Sequence, residues 1–188
     1  MKLVERILGG VSTVQNPKSI ESIVSEELST THGFPDKVAE ELAKKNNPRV
    51  TKVLLEFLTS PDKLLVARAL TVLRHIKDKT TVDPILACLN DEYSLVRREA
   101  TYALGWIKDP KAIDPLIKGL TDDYFEVRSL SARALGWILF QYRENVEPLV
   151  VKKVLSALDK ARDVRSCEDP RVLSAIDGAI ESIQKYCT

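Results

Sequence analysis

Histidine, glycine and cysteine are scarce in this chain, and each scarcity removes a class of protein. The two histidines, His32 and His75, lie on separate segments, and His32 falls in a Thr-Thr-His-Gly-Phe-Pro turn. Lone histidines so placed make poor metal ligands and supply no triad, so no metal and no cofactor is expected. Seven glycines are too few for the many tight turns of a β fold, and strand-type alternation is absent. The three cysteines, Cys88, Cys167 and Cys187, are odd in number and lack zinc or CxxC spacing. They read as reduced thiols, which predicts a cytoplasmic protein. No run of 18 apolar residues occurs, so no membrane span is expected. Charges interrupt the apolar residues of Met1–Leu8, unlike a secretory segment, and Tyr186-Cys187-Thr188 is not a prenylation box.

Excess charge is also missing. With 28 basic and 27 acidic residues the formal net charge is +1, which gives no general attraction to nucleic acid or an anionic membrane. Hydrophobic residues make up 44% of the 188, an ordinary share for a chain that buries a core.

What is present is a repeat. Residues 80–110 laid over 111–141 give 12 identities in 31 positions without a gap. Asp83-Pro84 falls on Asp114-Pro115, Leu89 on Leu120, Asp91 on Asp122, Tyr93 on Tyr124, and Val96-Arg97 on Val127-Arg128. The run Ala103-Leu104-Gly105-Trp106-Ile107 falls on Ala134-Leu135-Gly136-Trp137-Ile138. A weaker copy at 49–79 keeps Leu55, Leu58, Ala69, Leu73, Ile76 and Lys77-Asp78, with Ser60 and Val66 where Asp91 and Arg97 stand later.

Each copy reads as helix, turn, helix. The first helix is expected to open with Asp83 or Asp114 as N-cap and proline at the first helical position. The second, near 94–108, gathers Val96, Ala100, Ala103, Leu104 and Ile107 on one stripe. Residues 1–188 are thus expected to be one all-α solenoid, a superhelix of short antiparallel two-helix repeats. Its parts are divergent helices in 1–48 (Pro17–Leu28 and Pro35–Lys45), repeats at 49–79, 80–110 and 111–141, and a divergent capping repeat at 142–188. In that last part a longer first helix, a polar loop near Asp163–Asp169 and a final helix at about 170–186 are predicted.

The pattern Asp91…Val96-Arg97…Ala103-Leu104-Gly105-Trp106-Ile107 and its copy from Asp122 to Ile138 resemble the short HEAT-like repeats named after phycobilisome lyases. That resemblance implies an α-solenoid that holds other proteins. Within the family it also implies, for some members, attachment or removal of bilins on phycobiliproteins. Iron-binding HEAT enzymes require repeated His-Glu pairs, which this sequence lacks. No catalytic constellation is visible, and a non-catalytic scaffold using the concave face of the solenoid is the favoured reading. A bilin-handling accessory protein is the first alternative and a nucleic-acid binder using Arg68, Arg74, Arg98 and Arg133 the second. Balanced charge and the nearby Glu99 and Glu126 weigh against the second.

Asp91, Arg97, Asp122 and Arg128 are expected to form a structural ladder, the turn carboxylate of one repeat meeting the guanidinium of its own or the adjoining one. A candidate partner-binding groove comprises Arg98, Glu99, Tyr102, Trp106, Ser129, Leu130, Arg133 and Trp137; Leu95 and Glu126 share its stripe. For both tryptophans, packing between repeats is weighed against exposure in that groove. Gly105 and Gly136, mid-helix, suggest close approach of a neighbouring backbone, and Arg98, Thr101, Ser129 and Ala132 suggest a shallow floor. If Val172, Ile176, Ala179, Ile180 and Ile183 leave an apolar edge uncovered, two chains could self-associate end to end.

Overall fold

The computed structural model describes residues 28, 40, 48–163 and 169–187. The two helices predicted within 1–48, His32, Cys167 and most of the loop after Asp163 lie outside the described residues. Every regular element among the described residues is helical. The chain divides into two compact units, Met1–Lys77 and Asp78–Thr188.

The first unit contains a hairpin of α1 (Pro48–Phe57) and α2 (Lys63–Ile76). Its core holds Val50, Val53, Leu54, Val66, Ala69, Leu70, Val72 and Leu73. Asp62 caps α2, accepting from the amides of Leu64 and Leu65. The helix ends at Lys77, which adopts the left-handed conformation (φ 56°, ψ 30°) and donates its N–H to the Leu73 carbonyl. Ser60 fills the place of the later aspartates and accepts from the amide of Asp62. In the second unit the amides of Tyr93 and Tyr124 bond in the same way to Asp91 and Asp122. The turn bond therefore survives without the carboxylate. Arg68 donates to the carbonyl of Leu28, and Arg74 is buried.

The second unit stacks three hairpins in an α-solenoid. They comprise α3 (Val82–Ala87) with α4 (Ser94–Ile107), α5 (Ile113–Gly119) with α6 (Phe125–Tyr142), and α7 (Pro148–Asp163) with α8 (Pro170–Cys187). Helix α6 packs on α4 and α8 packs on α6, so the second helices form a continuous layer. The expected stripe Val96, Ala100, Ala103, Leu104 and Ile107 is buried throughout. Helix α6 runs further than its twin because Leu139-Phe140-Gln141 replaces Lys108-Asp109-Pro110. That removes both the left-handed Lys108 (φ 57°, ψ 45°) and the proline stop.

The capping expectation needs correction. Asp83 and Asp114 are not N-caps; they sit in the first turns of α3 and α5, and Pro84 and Pro115 follow them. Each first helix begins one turn earlier as a short 3-10 segment, Lys79–Thr81 or Pro110–Ala112, capped by Asp78 or Asp109. Proline is tolerated further in because the first four helical N–H groups need no partner within the helix. Asp83 and Asp114 instead reach Lys111 (3.1 Å) and Lys153 (2.6 Å) of the following hairpin.

Arg97 ties successive turns together. Its Nε and one terminal nitrogen donate to the two carboxylate oxygens of Asp122 at 2.8 and 2.9 Å, and it also pairs with Asp123. Its other terminal nitrogen donates to the carbonyls of Asp91 and Glu92. Arg128 repeats the last of these contacts, donating to the carbonyls of Asp122 and Asp123. The guanidinium thus closes its own turn, and the carboxylate that it clamps belongs to the next. Burial opposes ionisation of Asp122, but hydrogen bonds from Arg97 and the Tyr124 amide outweigh it and hold the carboxyl below its usual range.

The twin glycines differ. A Cβ on Gly105 would lie 2.9 Å from Ala134 Cβ and 3.1 Å from the Trp137 ring, so side chains rather than backbone exclude it. A Cβ on Gly136 would meet Ala179 at an ordinary 3.5 Å. The nearest atoms at Gly105 thus belong to side chains of the neighbouring helix, while at Gly136 the contact with the Ala179 backbone is no tighter than normal. Val172, Ile176, Ala179, Ile180 and Ile183 of α8 are buried, and Ser174, Asp177, Glu181 and Lys185 are exposed. The five residues whose exposure was expected to favour end-to-end docking are thus covered.

Two sets of substitutions test these contacts. Gly105→Ala is expected to destabilise by about 1–2 kcal/mol, overpacking outweighing better helix propensity, whereas Gly136→Ala stabilises by about 0.5–1 kcal/mol; urea unfolding measures both. Asp122→Asn is expected to cost about 1–2 kcal/mol at neutral pH. Because the folded pKa is depressed, this deficit is full above the unfolded aspartate value of about 3.9 and shrinks as pH falls through the folded one. Unfolding of both proteins at neutral and strongly acidic pH checks the sign.

Candidate functional site

The second helices of the second unit carry a stripe beside their buried face, set by the i, i+4 spacing of Tyr102 and Trp106 on α4 and of Arg133 and Trp137 on α6. The three rings form a triangle, with Tyr102–Trp106, Tyr102–Trp137 and Trp106–Trp137 centroids 6.3, 6.2 and 6.1 Å apart. These separations and the 61° angle between the indoles are those of edge-to-face aromatic packing. Gly105 makes the approach possible, since the Trp137 ring occupies the space of its missing side chain.

Packing and exposure are therefore not alternatives at this site. Trp106 touches the next hairpin's tryptophan and remains 40% exposed, while Trp137 is half-buried. The Arg133 guanidinium lies over the Trp137 ring at 5.3 Å, a cation–π contact, and Arg133 itself is exposed. Leu95 is exposed and Leu130 half-buried on the same stripe.

Charge on this face is mostly neutralised. Arg98 donates to Glu99 through Nε and one terminal nitrogen (3.1 and 2.6 Å) and to Glu126 through the other (3.0 Å). Burial disfavours the Arg98 cation, but the two carboxylates outweigh this and raise its pKa. The structure thus brings together Tyr102, Trp106, Arg133 and Trp137, and separately Arg98, Glu99 and Glu126. Ser129 is half-buried. Thr101 and Ala132 are fully buried, Thr101 donating to the Arg97 carbonyl, so they form no floor for a partner. In the first unit the corresponding stripe is Leu64, Arg68, Thr71 and His75, of which Leu64 is 48% exposed.

Further aromatic residues belong to this layer and were not singled out from sequence. Phe140, one turn beyond Trp137, meets Tyr186 of α8 at 5.2 Å, and Arg143 lies over the Phe140 ring. The i, i+3 spacing of Trp137 and Phe140 was the available signal, but the extra turn of α6 falls outside the repeat register. Gly105 faces Ala134 as Gly136 faces Ala179, so Gly178 and Ser182 stand on α8 where Arg133 and Trp137 stand on α6. The side chains of the stripe shrink there, and a Cβ on Gly178 would meet nothing within 4 Å.

No helix among the described residues is long and apolar enough to cross a membrane. No curated protein sequence matches this chain. Among solved structures it is similar to an engineered protein from the Northeast Structural Genomics Consortium, at 19% identity and a TM-score of 0.58. That likeness covers 98% of this chain and 97% of the other. A second engineered protein from the same consortium matches at 24% identity and a TM-score of 0.58, over 87% of this chain and 47% of that one. Residues 51–136 match the family model described as HEAT repeats, the stretch in which the helical hairpins recur. Over those residues the chain is similar to HEAT repeats.

Proposed function

We propose that this protein is a non-catalytic scaffold that binds a protein partner through the second-helix stripe of residues 95–137. The observation that carries the reading is the Tyr102–Trp106–Trp137 cluster, which spans two repeats and stays open to solvent at Trp106. Tyrosine, tryptophan and arginine dominate the energetics of protein interfaces, and rings already packed on one another lose little freedom on binding. HEAT repeats in general act as protein-interaction scaffolds, which agrees with this use of the layer. The compact 31-residue period and the Asp-x5-Arg signature further support repeats of the kind named after phycobilisome lyases.

A nucleic-acid partner is less well served. Arg98 is engaged by two glutamates and Arg74 is buried, so neither offers a phosphate contact. Binding a phosphate backbone needs several cations free to displace counterions.

The test compares wild-type protein with the Trp106→Ala/Trp137→Ala double variant as bait in extract of the native cell, after thermal unfolding shows that both fold. The expected result is partner capture by wild type and at least a tenfold loss in the variant, the size of a two-ring hot spot. The same protein set at the same yield from both baits overturns the reading. The sequence contains two tryptophans, so their emission should also shift to shorter wavelength when the partner covers them.

A further inference from the structure

We propose that Arg133 is a carboxylate-reading anchor, so that the partner segment presents an aspartate or glutamate next to a large apolar residue. This deepens the scaffold reading and rests on it.

Arg133 differs from every other described arginine of its unit. Arg97 clamps Asp122, Arg98 holds Glu99 and Glu126, and Arg128 donates to two turn carbonyls. Arg162 pairs with Asp159 and Asp177. Arg143 and Arg171 also lie over rings, Phe140 and Phe125, yet each has its own carboxylate in Glu144 or Asp169. Arg133 has the ring, Trp137, and no carboxylate or carbonyl partner among the described residues. The cation–π contact holds the guanidinium near the ring without engaging a hydrogen-bond acceptor, which keeps its planar fork available for the two oxygens of a carboxylate.

The surroundings select the ligand. Glu99 and Glu126, the acidic groups on the same stripe, are already shared by Arg98. One arginine without a carboxylate, among the described arginines of the unit, suits a single carboxylate rather than a phosphate chain. On α8, Gly178 holds the stripe position that Arg133 holds on α6, and a Cβ there would meet nothing within 4 Å, so that position adds no side-chain wall to the stripe. Across the stripe, Trp137, Trp106 and Tyr102 offer an apolar surface within reach of the same segment. An acidic residue flanked by an aromatic or long aliphatic one matches both parts.

The test selects a random-peptide phage library on three baits: wild type, Arg133→Glu, and Trp106→Ala/Trp137→Ala. Arg133 is exposed, so its replacement leaves the core intact. Wild type is expected to enrich peptides with an acidic residue adjoining a large apolar one. Arg133→Glu should bind those peptides about tenfold more weakly and enrich lysine or arginine at the acidic position. Peptides that depend on the tryptophans but show no acidic preference, and bind Arg133→Glu equally well, overturn the anchor and leave the scaffold reading standing. An absence of enrichment on wild type also overturns the anchor, and the capture comparison then judges the scaffold reading alone.

Discussion

The approach of α6 to α4 at Gly105 sets the geometry on which the rest of the second unit depends. With hydrogen in place of a methyl group, Ala134 and the Trp137 ring come against the α4 backbone. That contact fixes the register of one second helix on the next, and the register decides which side chains meet along the stripe. A glycine inside a helix costs about 1 kcal/mol relative to alanine. Here the loss is offset by the buried layer of Ala100, Ala103, Leu104, Ala134, Leu135 and Ile138 that the close approach assembles. The same proximity sets the two indoles 6.1 Å apart at the edge of the layer.

A second constraint acts at the turns. A two-helix repeat buries one face in its neighbour and must also hold its own loop, and Arg97 does both with a single side chain. Asp122 is bonded at once to the Tyr124 amide in its own turn and to Arg97 from the preceding repeat. Substitution at either residue therefore acts on two hairpins. On the first-helix side, Lys111–Asp83 and Lys153–Asp114 cross the same junctions in a solvated setting, where such pairs contribute little. The stack is thus joined by a buried layer in the middle, a partly buried clamp at the turns and weak exposed pairs elsewhere.

Much of this was legible because a repeat writes the same physical problem twice. Ala-Leu-Gly-Trp-Ile at one offset identified the second helices, their buried stripe and the pair Trp106 and Trp137 before any coordinates. Features that depend on a neighbour in space were less accessible. The twin glycines look alike in sequence, yet one faces an alanine methyl and an indole while the other faces only Ala179. Asp83-Pro84 resembles a helix start, but a 3-10 turn capped by Asp78 begins the helix earlier. Serine at 60 hides a bonding role shared with Asp91 and Asp122, since a hydroxyl accepts the turn amide as a carboxylate does. The Phe140–Tyr186 pair arises between helices and beyond the repeat register, where periodicity gives no guidance.

Consecutive repeats bring Trp106 and Trp137 into direct contact on an open face. Two indoles at this separation couple their electronic transitions, so the far-ultraviolet circular dichroism of the folded protein should contain an exciton couplet. Replacing either tryptophan by phenylalanine should remove the indole–indole couplet and leave only the weaker coupling of the remaining indole to Tyr102. A wild-type spectrum equal to the helical background plus two independent indole contributions, with no coupled band, would contradict that contact.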